Sequence, residues 1–437
     1  MERLANLDHY LQAASVATMW RWCGRVVEAN AQMLECLGPP SSVGEGCEIR
    51  DAHGVRHAGE VIGFRADRVL VMPLDSTQGF RMGDGVLAMG RPAELRVGQT
   101  MLGRVFDGVG QPIDHQGAFL GERSVSFDGK VPAPMEREPI CKPLRTGVRA
   151  IDGMLTVGRG QRVGIFGGSG VGKSTLIGMM VRNTSADVTV VGLVGERGRE
   201  VREFLEDALG EEGRAKSVVF VSTSDQSPLL RMRAAQAATA TAEFYARQGK
   251  HVLLVLDSLT RYAMAAREIG LAAGEPPASK GYTPSVFAHL AKLVERAGNF
   301  TYGSITAFYT VLMEGDDQQD PIVDSVRSYV DGHVVLSREL AAEGWYPPVH
   351  VLDSLSRLMP AVTSREHRAK AMKVRSVMST YARSADLIRM GAYSAGSDVE
   401  LDHAMAAMPI LRNFLRQERD EAPSLEQTIA ALQTMEV

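Results

Sequence analysis

The stretch Gln161–Leu176, QRVGIFGGSGVGKSTL, runs from a short apolar segment (Val163–Phe166) into a glycine-rich turn and on into helix-forming residues. Gly167, Gly172, Lys173 and Ser174 complete the pattern G-x-x-x-x-G-K-[ST]. Glycines let consecutive backbone N–H groups curl around a polyphosphate with no Cβ in the way. The helix that follows aims its positive end at the same phosphates. The segment Gly167, Gly168, Ser169, Gly170, Val171, Gly172, Lys173, Ser174 and Thr175 therefore reads as a phosphate-binding loop. Lys173 is expected to reach the β- and γ-phosphates, and the Ser174 hydroxyl to ligate Mg²⁺.

Working outward, strand and helix patterns alternate after this loop. Val188–Gly195, Ser217–Ser222, His251–Leu256, Gly303–Val311 and Gly332–Ser337 are apolar, β-rich runs. Helical patterns at Arg199–Ala208 and Met232–Gln248 separate the first three, and another helical pattern follows Asp257. Strands apolar on both faces and separated by helices predict a mostly parallel sheet covered by helices, an α/β core. Upstream, CGRVVEA, GEVIGF, RVLVMPL and GVLAMG are punctuated by Gly, Pro and Asp, which predicts a small β-barrel or sandwich over 19–92. Residues 91–150 read as a linker with lead-in strands, and residues 364–437 as helical with a break at Gly396–Ser397. Leu4, Leu7, Leu11 and Ala14 lie at helical spacing and predict an amphipathic helix over 1–18. It could pack on its own domain or dock a partner or a membrane surface.

The chain of 437 residues carries a formal net charge of −4, without the positive excess that nucleic-acid binding usually shows. Cys23, Cys36, Cys47 and Cys141 form no C-x-x-C pair and read as reduced thiols. MERLANLDHYLQ has early acidic residues and no apolar centre, so no secretory signal is expected there. No apolar run is long enough to span a membrane. The expectation is a soluble, cytoplasmic protein.

Two acidic positions carry chemistry. Asp257 ends the run HVLLVLD, where an acid beyond a strand's carboxyl end can hold Mg²⁺ through water. Glu196, with Arg197 beside it, follows VTVVGLVG and could orient or deprotonate the attacking water. Pattern alone leaves open that Glu196 is a surface residue opening the next helix, where the macrodipole welcomes it.

GGSGVGKST, GLVGERGREV, LLVLDSLTRYAMAAREI, GYTPSVFAHLAKLVERAG, GSITAFYTVLMEGDD, DGHVVLSREL and DSLSR occur in this order. Together they resemble the flagellar and type III secretion export ATPases, relatives of the catalytic subunits of rotary ATP synthases. The resemblance covers about residues 20–420. It implies an N-terminal small β-barrel, a RecA-like P-loop NTPase core over 93–363 and a C-terminal helical domain, assembled as a homohexameric ring. By the same resemblance Glu196 polarises the attacking water with Arg197 close by, and Arg261 approaches the γ-phosphate. Tyr346 in GWYPPVHVL stacks on adenine, Arg357 in DSLSR is an arginine finger supplied across a subunit interface, and Gly270–Pro284 faces the centre of the ring. The implied partners are a regulatory stalk protein at the N-terminus, a central stalk protein, an export gate and chaperone–substrate complexes, with peripheral attachment at the inner face of the cytoplasmic membrane. EGDDQQDPI and DLIRMGAYSAGSDVELD lean toward the flagellar branch; virulence-type secretion is the alternative. A rotary ATP synthase subunit is more remote, since GERGREVREFLED follows the export pattern. An RNA-translocating hexamer would need a basic, aromatic-bearing N-terminal domain, which Trp20–Gly90 lacks.

Overall fold

A computed structural model describes residues 22–313, 315, 317 and 319–436. The amphipathic helix expected over 1–18 lies outside them.

The first six strands close on themselves: β1 (Cys23–Ala29), β2 (Leu34–Leu37), β3 (Glu45–Arg50), β4 (Arg56–Arg65), β5 (Arg68–Pro73) and β6 (Gly85–Pro92). Their order around the barrel is β1-β2-β5-β4-β3-β6, with every neighbour antiparallel. The interior is filled by alternating residues, among them Val26, Leu34, Cys36, Cys47, Ile49, Val61, Val71 and Val86. Burial pushes both interior thiols up, so they stay protonated and inert. By compactness the barrel groups with Ile269–Glu275, and Leu95–Glu268 with Pro276–Val437 forms a second unit.

The second unit is built on a nine-stranded sheet. Two short ribbons precede or flank it: β7 (Glu94–Val97) with β9 (Arg123–Ser126), and β10 (Pro143–Leu144) with β11 (Val157–Gly158). The sheet itself contains β8 (Val105–Asp107), β12 (Arg162–Gly167), β13 (Val188–Glu196), β14 (Ser217–Thr223), β15 (His251–Asp257), β16 (Gly298–Phe300), β17 (Gly303–Leu312), β18 (Gly332–Val335) and β19 (Leu355–Ser356). Its order is β19-β18-β12-β17-β15-β13-β14-β8, with β16 pairing outside this path on β17. All pairings are parallel except β18–β19 and β16–β17. Both faces of the central strands are covered, which is why they read as unbroken apolar runs. In β15, Val252 to Asp257 are all buried.

The Ala-rich helix Pro228–Ala246 shows how closely one cover packs. Ser227 caps its start, and Ala234, Ala235, Ala237 and Ala238 are fully buried. Opposite them, a Cβ on Gly192 would stand 3.2 Å from the Ala238 Cβ and 2.7 Å from Leu256. Small residues on both sides let helix and sheet approach; each buried aliphatic neighbour adds roughly 1.5–3 kcal/mol.

At the C-terminal end, Arg365–Arg383 packs against Val399–Leu415 and Leu425–Thr434. Ala404, Met408, Leu411 and Leu415 recur at helical spacing and join the core of the second unit. Ser364, Asp398 and Ser424 cap these three helices. The expected helix Arg199–Ala208 differs: it is α-helical over Gly198–Glu203 and widens into a π-helical turn over Phe204–Leu209.

Candidate active site

β12, β13 and β15 end side by side at the carboxyl edge of the sheet, where ligands collect in open α/β folds. Gly172 turns the chain at φ 91° and caps the helix Lys173–Asn183, while Gly170 has φ 77° and open space at its Cβ position. Val171 points away from the turn and is buried in the core. Lys173 is buried, and its ammonium donates to the Gly167 carbonyl at 3.3 Å and to the Gly168 carbonyl. Burial lowers its pKa, opposed by Asp257 and Glu196.

Asp257 closes β15 in register with Leu193 of β13. Its carboxylate accepts a 2.6 Å hydrogen bond from the Thr310 hydroxyl on β17. Burial raises its pKa, and Thr310 and the Lys173 charge pull it back.

Glu196 is aimed by a bulge. The pairing of β13 with β14 slips between Val194 and Glu196, and Gly195 takes φ 71°. A Cβ there would meet the Arg261 side chain at 2.6 Å, so the position suits only glycine. Arg261 Nε consequently stands 3.4 Å from Glu196 Oε1. Glu196 is pushed up to about 8 by burial first, then by a hydrogen bond with Glu200 and by Asp257. Glu200, at the other end of that bond, is lowered. Arg197 is exposed and pairs with Glu200 at 3.3 Å.

These groups surround one cavity of about 650 Å³, lined by Ser169, Gly170, Gly172–Thr175, Glu196, Arg197, Asp257 and Arg261. Thr260, Glu200 and Arg338 line it too, and sequence reasoning missed them. Glu200 sits one helical turn after Glu196 in GERGRE, a spacing that could have flagged it; Thr310 carries no local signal. Tyr346 lines an adjoining space of about 170 Å³ with Gly172, Leu176, Met179 and Pro347. A Cβ on Gly172 would stand 3.4 Å from the Tyr346 ring. Arg357 is not among the residues lining either space. It is exposed beyond β19, its N–H bonded to the Asp331 carbonyl.

Among the described residues no three His, Cys, Asp or Glu side chains cluster as a metal cage. The Ser174 hydroxyl and the buried Asp257 carboxylate both line the cavity instead. That donor set fits a hard cation delivered with a polyphosphate and keeping most of its waters.

Known proteins resemble this chain along most of its length. Residues 26–90 match the ATP synthase alpha/beta family, beta-barrel domain; residues 147–356 match the nucleotide-binding domain of the same family; residues 363–434 match the T3SS EscN ATPase C-terminal domain. The chain is 50% identical over 435 residues to a Flagellum-specific ATP synthase of Pseudomonas aeruginosa, covering 98% of this chain and 96% of that one. The chain belongs to the family of flagellum-specific and type 3 secretion ATPases. Within this family it is also 47% identical over 410 residues to a Type 3 secretion system ATPase of Xanthomonas euvesicatoria, covering 94% and 93%. The assembled ATPase EscN of the enteropathogenic E. coli type III secretion system superposes with a TM-score of 0.89 at 43% identity, over 94% of this chain and 98% of that one. EscN in complex with its central stalk EscO gives 0.86 at 42%, over 94% and 98%. The expected fold class, barrel followed by P-loop core and helical C-terminal domain, is the one found. Among the described residues no helix is long and apolar enough to cross a membrane.

Proposed function

We propose that this chain is the ATP-hydrolysing motor of flagellar type III protein export, working as a homohexameric ring that energises chaperone release, unfolding and export of its substrates. The observation that carries the ATPase reading is the convergence of Lys173, Ser174, Glu196 and Asp257 on one nucleotide-sized cavity. The flagellar assignment is supported by the Flagellum-specific ATP synthases at 50%, 49% and 48% identity. A non-flagellar secretion role is the second reading, favoured by the match of residues 363–434 to an EscN-type C-terminal domain.

The loop from Gly167 to Thr175 cradles the polyphosphate, and Lys173 leaves its own loop carbonyls to meet the β- and γ-phosphates. Ser174 and, through water, Asp257 would hold Mg²⁺, which supplies charge neutralisation at those phosphates. Glu196, once ionised, orients and deprotonates the attacking water, while Arg261 keeps its carboxylate in place and Arg197 stands near. Tyr346 stacks on the adenine. Arg357, which does not line this cavity, serves the site of the neighbouring subunit. Central-stalk binding is supported by the EscN–EscO complex. A regulatory stalk protein held by residues 1–18, an export gate and the inner face of the cytoplasmic membrane complete the proposed setting.

Subunit mixing tests the reading. Arg357→Ala should be inactive alone, because a positive charge supplied in trans is worth roughly 10³–10⁵ in rate, and Glu196→Gln alone, because an amide cannot take the proton from the attacking water. Co-assembled, they should regain turnover at interfaces pairing an intact Glu196 with an intact Arg357. No recovery in mixtures shown to co-assemble would mean that each chain carries a complete site.

A further inference from the structure

Besides Tyr346, the base pocket is lined by Gln417, Glu418 and Arg419, which lie just beyond the helix Val399–Leu415. This segment has no regular structure, yet the rest of the unit grips it. Arg145 donates from Nε to the Pro423 carbonyl at 3.1 Å and from Nη2 to the Ala422 carbonyl at 3.0 Å. Arg149 reaches the Arg416 carbonyl at 2.5 Å and the Glu421 carboxylate at 2.8 Å. Arg182, on the phosphate-loop helix, donates to the Arg419 carbonyl at 3.0 Å. Four of these bonds end on backbone oxygens, so they fix the path of the segment regardless of its side chains.

Gln417 is the exception, and it is 5% exposed. Its Oε1 accepts the Arg149 N–H at 2.8 Å, and its Nε2 donates to the Gly147 carbonyl at 2.7 Å and the Glu421 carbonyl at 2.9 Å. Its own N–H donates to the carbonyl of Tyr346 at 2.9 Å. One residue thus ties the Tyr346 backbone, the turn at Gly147 and the far end of the segment together. A buried amide with all its side-chain donors and its acceptor used holds one geometry, since any displacement leaves polar groups unpaired.

We propose that Gln417 is a positioning residue that, with the arginine strap over 416–423, holds both walls of the base pocket at the spacing that grips the nucleobase. This rests on the reading of Tyr346 as the base-stacking ring. The chemistry predicts a selective effect: contacts to the base weaken, and contacts to the phosphates, made by a separate loop, do not.

Gln417→Glu is nearly isosteric but cannot donate, and it sets a charge against two carbonyls. It should raise the KM for ATP about tenfold, the scale of one lost base–aromatic stack, with kcat changed less than about twofold. Inhibition by inorganic tripolyphosphate, which carries no base, should be unchanged. Arg145→Ala, half-buried and remote from the phosphates, releases only the end of the segment and should give the same pattern, with KM raised about threefold. It keeps the test decisive if Gln417→Glu does not fold. Tyr346→Ala is the control. If it raises KM while Gln417→Glu and Arg145→Ala do not, the strap holds nothing and the proposal falls alone. If Tyr346→Ala leaves KM unchanged, the base-pocket reading falls and takes the proposal with it. Equal weakening of ATP and tripolyphosphate would show general loosening and also overturn it.

Discussion

Glu196 must lose a proton before it can act on water, and its surroundings resist that loss. Burial, the hydrogen bond with Glu200 and the Asp257 charge push its carboxyl up to about 8, while Glu200 is held down. The proton shared by the pair therefore resides on Glu196. Because kcat/KM reports groups of the free enzyme, the ionised fraction and the rate should rise about fivefold between pH 7 and pH 8. Glu200→Gln removes a negative charge and offers an amide N–H to the Glu196 carboxylate. Its midpoint should move to lower pH, leaving less than about a twofold rise over the same interval. The assay is phosphate release at subsaturating ATP and fixed free Mg²⁺ from pH 6 to 9, run on both proteins. Titration of the nucleotide is common to both and cancels in the ratio. Only the midpoint is diagnostic, since Glu200 also lines the cavity. Profiles that superimpose after scaling would refute the argument.

Three further outcomes follow from the same site and its support. Lys173→Ala should abolish turnover while leaving the unfolding free energy measured in urea within about 1 kcal/mol of the parent, because the ammonium's hydrogen bonds go to loop carbonyls. Glu196→Gln should stabilise the nucleotide-free protein by roughly 1–2 kcal/mol at pH 8. The folded state keeps a proton that the unfolded state releases above the ordinary value of 4.5, so parent stability falls as pH rises toward about 8 and the gap closes toward pH 5. Asp152, fully buried, accepts from Thr146 N at 2.9 Å, Thr146 Oγ1 at 2.7 Å and Gly147 N at 2.9 Å. Asp152→Ala orphans these donors and should cost about 2–4 kcal/mol in denaturant unfolding.

The parallel sheet was legible because its strands are covered on both faces: Val188–Glu196 and His251–Asp257 announce themselves as continuous apolar runs. The barrel was legible only in part. β1, β4, β5 and β6 coincide with the punctuated runs, but LECL and EGCEIR are too short or too polar to signal strands without their partners. β8, three residues inside a loop-rich stretch, pairs with the sheet edge at β14, and Phe106 stacks there on Phe220, a partner distant in sequence. The π-helical turn at Phe204–Leu209 replaces an ordinary helix for a reason visible only in three dimensions. There the Ala208 carbonyl lies 2.7 Å from where a Gly178 Cβ would be and accepts from Arg182. In the site, the phosphate loop is encoded in consecutive residues and Asp257 by its place at a strand end. Glu200 lies a local helical turn from Glu196, but Thr310 and Gln417 acquire their neighbours only when distant segments meet, so no local pattern marks those two.

The six-stranded barrel has a consequence for association. Each of its strands is hydrogen-bonded on both sides, so it offers no free edge onto which another chain could add a strand. Whatever docks there must read side chains. Its recognition code is therefore rewritable by surface substitutions such as Trp22, Val43, Phe64 or Met82, all exposed, without touching the hydrogen-bonded frame that carries them.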